Sequence, residues 1–220
     1  MTLDFSVVIN AWQSLLFGAL GTLFLAFSGM VIALFIGILG VVVLRTQIWL
    51  PALLVTAFVE IVRNTPFLVQ IFFIFFALPL TGIRLNPTMT AIIALGVNGG
   101  AYAVEIIRGG VDSIPKGQSE AGLALGLHRH EVFRLIVLTP ALRAIYPSLA
   151  SQFILLTLTT AICTSISAYE LTSVGQRIEA ETFRSFEVYF TLTGIYLVIS
   201  LVTMWILAAI GRWAFSYPQR

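Results

Sequence analysis

Charged positions divide the chain into long apolar runs. No Asp, Glu, Lys or Arg falls within 5–44, 64–83, 85–104, 144–169 or 188–211, and each run holds at least 20 residues. A helix rises about 1.5 Å per residue and a bilayer core is about 30 Å thick, so about 20 residues cross it. The runs predict five spans, at about 15–43, 54–78, 88–108, 146–168 and 188–211. Residues 5–14, with Trp12, predict a surface segment ahead of the first span. Gly18 with Gly21, and Gly37 with Gly40, predict close approach of a neighbouring backbone. A looser reading is that glycine is simply common in membrane helices.

Polar residues inside these runs are few. The second span carries Glu60, Arg63, Asn64, Thr65, Pro66 and Gln70 before the apolar stretch from Ile71 to Phe76. Pro66 lacks an N–H and predicts a kink or an opening of the helix. Glu60 and Arg63 are spaced for an i,i+3 pair, as are Glu105 and Arg108. The third span also holds Asn98. The fourth is rich in hydroxyls, including Thr160, Thr164 and Ser165. Such side chains either bond back to their own helix or face a pathway. Residues 109–143 read as a charged segment with short amphipathic helices. Residues 169–187 read as a loop.

Composition narrows the class. Of 220 residues, 59% are hydrophobic and 10% charged, against about 25% charged in soluble domains. The chain reads as an all-α integral membrane protein. The formal net charge is only +2, and no basic stripe with aromatics supports nucleic-acid binding. Cys163 is the single cysteine, so neither an internal disulfide nor a cysteine metal site is expected. His128 and His130 make a poor metal pair. With Asp4 and no basic cluster near the start, a cleaved leader is not expected.

Sidedness follows from the basic residues. Placing 109–143 in the cytoplasm puts the N-terminus outside and the C-terminus inside after five crossings. Arg45, Arg63, Arg108, Lys116, Arg129, Arg134, Arg143, Arg212 and Arg220 then lie inside, and Arg84, Arg177 and Arg184 outside. Nine against three is the excess that the positive-inside rule demands. A sixth span, with 5–44 folded as a re-entrant hairpin, would put Arg45 and the C-terminal arginines on opposite sides.

Several motifs then agree. Glu120-Ala121-Gly122-Leu123-Ala124-Leu125-Gly126-Leu127, closing with Leu138-Thr139-Pro140-Ala141-Leu142-Arg143, resembles the EAA loop of ATP-binding-cassette importer permeases. Val59 to Gln70, around Arg63-Asn64-Thr65-Pro66, resembles a segment of their polar amino acid subfamily. So do Arg108-Gly109-Gly110, Pro115-Lys116-Gly117-Gln118, Tyr169-Glu170-Leu171-Thr172 and Phe183-Arg184-Ser185-Phe186-Glu187. The likeness covers about 15–215. Gly122 stands where the family more usually has alanine, and Leu123 where a polar or basic residue is common. Leu158-Thr159-Thr160-Ala161-Ile162 stands where a lysine and an aspartate are frequent, which removes the basis for carrying over a preference for acidic amino acids.

The resemblance implies a type I importer transmembrane domain, a single permease unit over 1–220 with 109–143 as its cytoplasmic coupling loop. It implies a second permease subunit, two cytoplasmic ATPase subunits that hold ATP and Mg, and an external solute-binding protein, in a bacterial cytoplasmic membrane. The chain itself would be no enzyme and hold no cofactor; it lacks the G-x-x-x-x-G-K-[ST] phosphate loop. Glu120, Ala121, Gly122, Ala124, Gly126 and Leu127 are the expected ATPase-coupling residues. Small side chains there permit close seating, and Gly126 suits a turn with positive φ. A polar amino acid needs donors and acceptors in place of water. Asn64, Thr65, Gln70, Asn98, Glu105, Thr160, Thr164 and Ser165 are the path candidates, with Glu60, Arg63, Pro66 and Arg108 in structural roles. A channel or secondary transporter, or a structural partner of a substrate-contacting sister permease, remain alternatives.

Overall fold

The structure is a computed structural model that describes residues 3–46 and 48–215. Its regular structure among the described residues is all helical. A short helix α1 (Ser6–Asn10) leads into α2 (Trp12–Arg45), α3 (Trp49–Arg63) and α4 (Phe67–Phe72). A wide turn (Phe73–Ala77) and a tight one (Leu78–Thr81) extend α4. Then come α5 (Pro87–Asp112), α6 (Lys116–Ala124), α7 (Arg129–Glu131), α8 (Leu138–Thr159), α9 (Leu171–Thr182) and α10 (Ser185–Ala214). Four helices are long and apolar enough to cross a membrane, five if the bent pair of α3 and extended α4 counts as one. Arg220 lies outside the described residues.

The central packing is α2 against α5. The alternative of a re-entrant hairpin in 5–44 does not occur, because α2 is one unbroken helix of 34 residues. Contacts rise together in number along both helices: Gly29 meets Leu95, Gly37 meets Ala103, and Gly40 meets Val104. The helices therefore run parallel, and glycine or alanine at each crossing brings the backbones close. Arg45 and Asp112 pair at their C-terminal ends. The other expected glycine pair serves a different neighbour: Gly18 and Gly21 lie against Leu171, Tyr169 and Glu170 at the start of α9. One helix thus carries two close-packing faces near its two ends.

Three boundaries differ from expectation. The second span is not continuous over 54–78; its halves meet at 110° around Pro66. The segment 169–187 is not a loop but contains α9, whose Leu171, Val174 and Ile178 are buried. Its start is fastened by Glu170, whose carboxylate accepts from the Thr172 and Ser173 amides at 2.8 and 2.6 Å. The fourth span begins far earlier than 146, as one helical rod over Arg129–Ile166. At about 57 Å it is longer than a bilayer core. Within it, a wide π turn at Val132–Val137 precedes Pro140. Proline withdraws a donor from the preceding turn, and a π turn is one way for a helix to continue past such a defect.

Much of the outer surface is apolar. On α10, Trp205 and Trp213 are 77% and 85% exposed, and its most hydropathic window buries nothing inside the chain. In lipid such a face costs nothing, whereas in water it would aggregate.

Candidate functional site

Breaking a helix frees carbonyls, and the break at Pro66 shows where they go. The Asn64 amide donates to the Glu60 carbonyl at 2.8 Å and to the Glu60 carboxylate at 3.1 Å. The Thr65 hydroxyl donates to the Ile61 carbonyl at 2.8 Å. Gln70 reaches back from α4: its Nε2 donates to the Val62 carbonyl at 2.8 Å and to the Thr65 hydroxyl at 2.8 Å. Three consecutive carbonyls at the end of α3 are thereby satisfied by three side chains, as an apolar surrounding requires. On its other face, Gln70 Oε1 accepts from Asn98 Nδ2 of α5 at 3.0 Å. Four path candidates, Asn64, Thr65, Gln70 and Asn98, thus join along the break. Asn64 and Thr65 remain exposed while Gln70 and Asn98 are half-buried.

A charged group lies toward the C-terminal end of α5. Glu105 holds Arg108 through two hydrogen bonds of 2.8 and 3.1 Å, the expected i,i+3 pair. Arg63 does not pair with Glu60. It lies 3.4 Å from Glu105 and its guanidinium sits 5.5 Å from the Tyr102 ring centroid. Helix α3 packs against α5, which brings Glu105 within reach of Arg63, and Asn64 takes up Glu60 instead. Glu105 is consequently bracketed by two arginines.

The hydroxyls of the fourth span separate. Thr160 is fully buried and donates to the Thr157 carbonyl at 2.7 Å, so it bonds back to its own helix. Thr164 donates to Gln176 of α9 at 3.1 Å, and Ser165 is exposed. They lie on the tight turn Thr160–Ile166, which packs against α4 and α5. No direct hydrogen bond links them to the Gln70–Asn98 pair among the described residues.

Residues missed by sequence reasoning tie α9 in place. Glu170 is fully buried and accepts from the Tyr196 hydroxyl of α10 at 2.9 Å. The Leu171 amide donates to Thr22 of α2 at 3.2 Å. Tyr196 and Thr22 have ordinary local sequence contexts. Only Glu170, a lone acid in an apolar stretch, carried a signal.

The 109–143 segment has its own geometry. Helix α6 ends with Gly126 at φ +87°. The Gly126 and Leu127 amides donate to the Leu123 and Gly122 carbonyls at 3.0 and 3.2 Å, a Schellman closure that requires the left-handed residue. Gly122 turns inward: a Cβ there would lie 2.5 Å from Ile136 and 3.1 Å from Val132. A methyl there would have to displace the tips of these two side chains. Leu127 is half-buried, whereas Glu120, Ala121 and Ala124 are exposed. Leu123 and Leu125 join them, 46% and 84% exposed.

Comparison with known proteins agrees over nearly the full length. Residues 29–215 match the family model described as binding-protein-dependent transport system inner membrane component. The glutamine transport system permease protein GlnP of Escherichia coli (strain K12) is 39% identical over 214 residues, covering 96% of this chain and 98% of that one. A crystal structure of an amino acid ABC transporter with histidines contains a chain of TM-score 0.91 and 30% identity, covering 96% of this chain and 99% of that one. The MetNI methionine ABC transporter, in inward-facing conformations, shares the fold at TM-score 0.69 and 23% identity, covering 94% of this chain and 96% of that one.

Proposed function

Since the chain belongs to the family of binding-protein-dependent transport system inner membrane components, as a polar amino acid ABC importer permease, we propose that it carries glutamine or a close polar analogue into the cell. Glutamine is favoured by the full-length likeness to a glutamine permease. The observation that carries the site is the broken span, where exposed Asn64 and Thr65 and the Gln70–Asn98 pair gather amide and hydroxyl groups beside Glu105 and its arginines. An amide-bearing zwitterion needs such donors and acceptors when it leaves water. Glu105 suits the ammonium group, and Arg63 the carboxylate.

The finer readings share this basis. One permease domain over 1–220 sits in a bacterial cytoplasmic membrane, with its N-terminus outside and its C-terminus inside. It pairs with a second permease, receives substrate from an external binding protein, and is driven by two ATPase subunits that do the hydrolysis. Glu120, Ala121, Ala124 and the exposed Leu123 and Leu125 form the face offered to an ATPase groove. Gly126 shapes that face, while Gly122 and Leu127 seat it on the chain's own helix. The continuous rod Arg129–Ile166 supports this reading mechanically. Gly122 presses on Val132 and Ile136, which belong to that rod. A push on α6 therefore reaches the Thr160–Ile166 turn through a stiff helix rather than a loop. Alternating exposure of the polar break, outward with the ATPases closed and inward after hydrolysis, follows.

Reconstitution tests the function. Proteoliposomes holding the permease and its ATPase, with the binding protein outside and ATP inside, are expected to accumulate labelled glutamine above a panel of other amino acids. Uptake driven by an ion gradient without the ATPase would overturn it. Single cysteines across 121–127 are expected to cross-link to the ATPase, and labelling of 113–140 from outside would end the coupling reading.

A further inference from the structure

Between α8 and α10 lies a groove of about 500 Å³, away from the polar break. Its two walls come from consecutive spans and so run antiparallel. Arg143 at the start of α8 and Arg212 at the end of α10 line the groove at the same end. The rest of the wall is largely apolar, including Tyr146, Ala150, Ile154 and Met204. Tyr146 lends no hydroxyl to the groove's apolar part, since its O–H donates to the Leu207 carbonyl at 2.7 Å. We propose that this groove is a binding site for an anionic phospholipid, with its phosphate between Arg143 and Arg212 and one acyl chain along the wall.

Three observations support the occupant. Arg143 makes no ion pair among the described residues, so its guanidinium can take a phosphate, and Arg212 adds a second positive charge at the same end of the groove. From Arg143 to Ile154 the groove runs about 16 Å along the helix, close to one leaflet's depth of about 15 Å. Its polarity is graded as a phospholipid's is, charged at one end and apolar along the rest. Basic pockets between spans are a general means of holding anionic headgroups. This site does not depend on which amino acid is carried, nor on which leaflet faces the cytoplasm.

The test uses the assembled transporter in nanodiscs of phosphatidylcholine with a minor fraction of photoactivatable phosphatidylglycerol. Labelling is expected in the peptides that hold 143–154 and 204–215. At about five-fold per arginine near the surface, Arg143→Gln with Arg212→Gln should lower it about 25-fold. Arg134→Gln, outside the groove, should not. Ala208→Trp fills the groove from an exposed position and should also lower labelling, which keeps the test sound if the double variant folds poorly. Equal labelling by photoactivatable phosphatidylcholine would reveal ordinary annular lipid and overturn the proposal. Displacement by free glycerol phosphate would reveal an anion site without a lipid requirement and also overturn it. So would a cysteine at 208 that cross-links to the second permease and takes up no lipid label.

Discussion

The spacing between α2 and α5 sets where Asn98 and Glu105 stand, and a single methyl tests it. In Gly37→Ala, the added Cβ would lie 2.7 Å from the Ala103 Cβ and 3.1 Å from the Ala103 carbonyl carbon. Carbon atoms rest at about 3.5–4.0 Å. Neither obstacle can rotate away, since one is backbone and the other is fixed to it. The helices must separate by roughly 1 Å, and overpacking of this kind costs about 1–3 kcal/mol. For a chain of this size, about 2 kcal/mol lowers Tm by about 4–8 °C. The control is Gly109→Ala in the facing helix α5, where no atom lies within 4 Å of the added Cβ. There the change is neutral or stabilising, because alanine is the better helix former. Thermal unfolding of the purified permease in detergent, followed by near-UV circular dichroism, measures both. A Gly37→Ala protein that melts at or above the Gly109→Ala protein would refute the close-packing reasoning. Transport should fall alongside stability, because Asn98 rides on the displaced helix.

Other outcomes follow from the same contacts. Gln70→Leu leaves the Val62 carbonyl and Asn98 Nδ2 without the partners shown and should cost about 1–3 kcal/mol; Tm together with the KM for uptake checks it, and Gln70→Glu, which keeps an acceptor for Asn98, should be milder in KM. Leu125→Asp changes a side chain that is 84% exposed, so Tm should hold within about 0.5 kcal/mol of stability while copurified ATPase is lost; retained ATPase would count against the coupling face. Glu170→Gln turns an amide NH₂ toward donors that now face carboxylate oxygens and should lower Tm by several degrees, at about 1–3 kcal/mol; pulsed hydrogen exchange should find the loss of protection concentrated in α9.

The amino-acid sequence alone determined whatever depends on local chemistry. Uncharged runs of lipid-spanning length marked the spans, because a charge deep in hydrocarbon is costly. Pro66 marked the break, Gly126 the left-handed turn, and the spacing of Glu105 and Arg108 their pair. These features are set by neighbours within a few residues. Tertiary structure decided what depends on the direction a broken chain takes. Glu60 and Arg63 have spacing suited to each other, yet the packing of α3 on α5 gives Arg63 to Glu105. Gly122 looks like a partner-facing residue until Ile136 is seen against it. The helix α9 is hardly apolar along its length, and its burial exists only because Gly18 and Gly21, some 150 residues earlier, leave room for it. A side chain's spacing fixes which partners are within reach, and the path of the backbone selects among them.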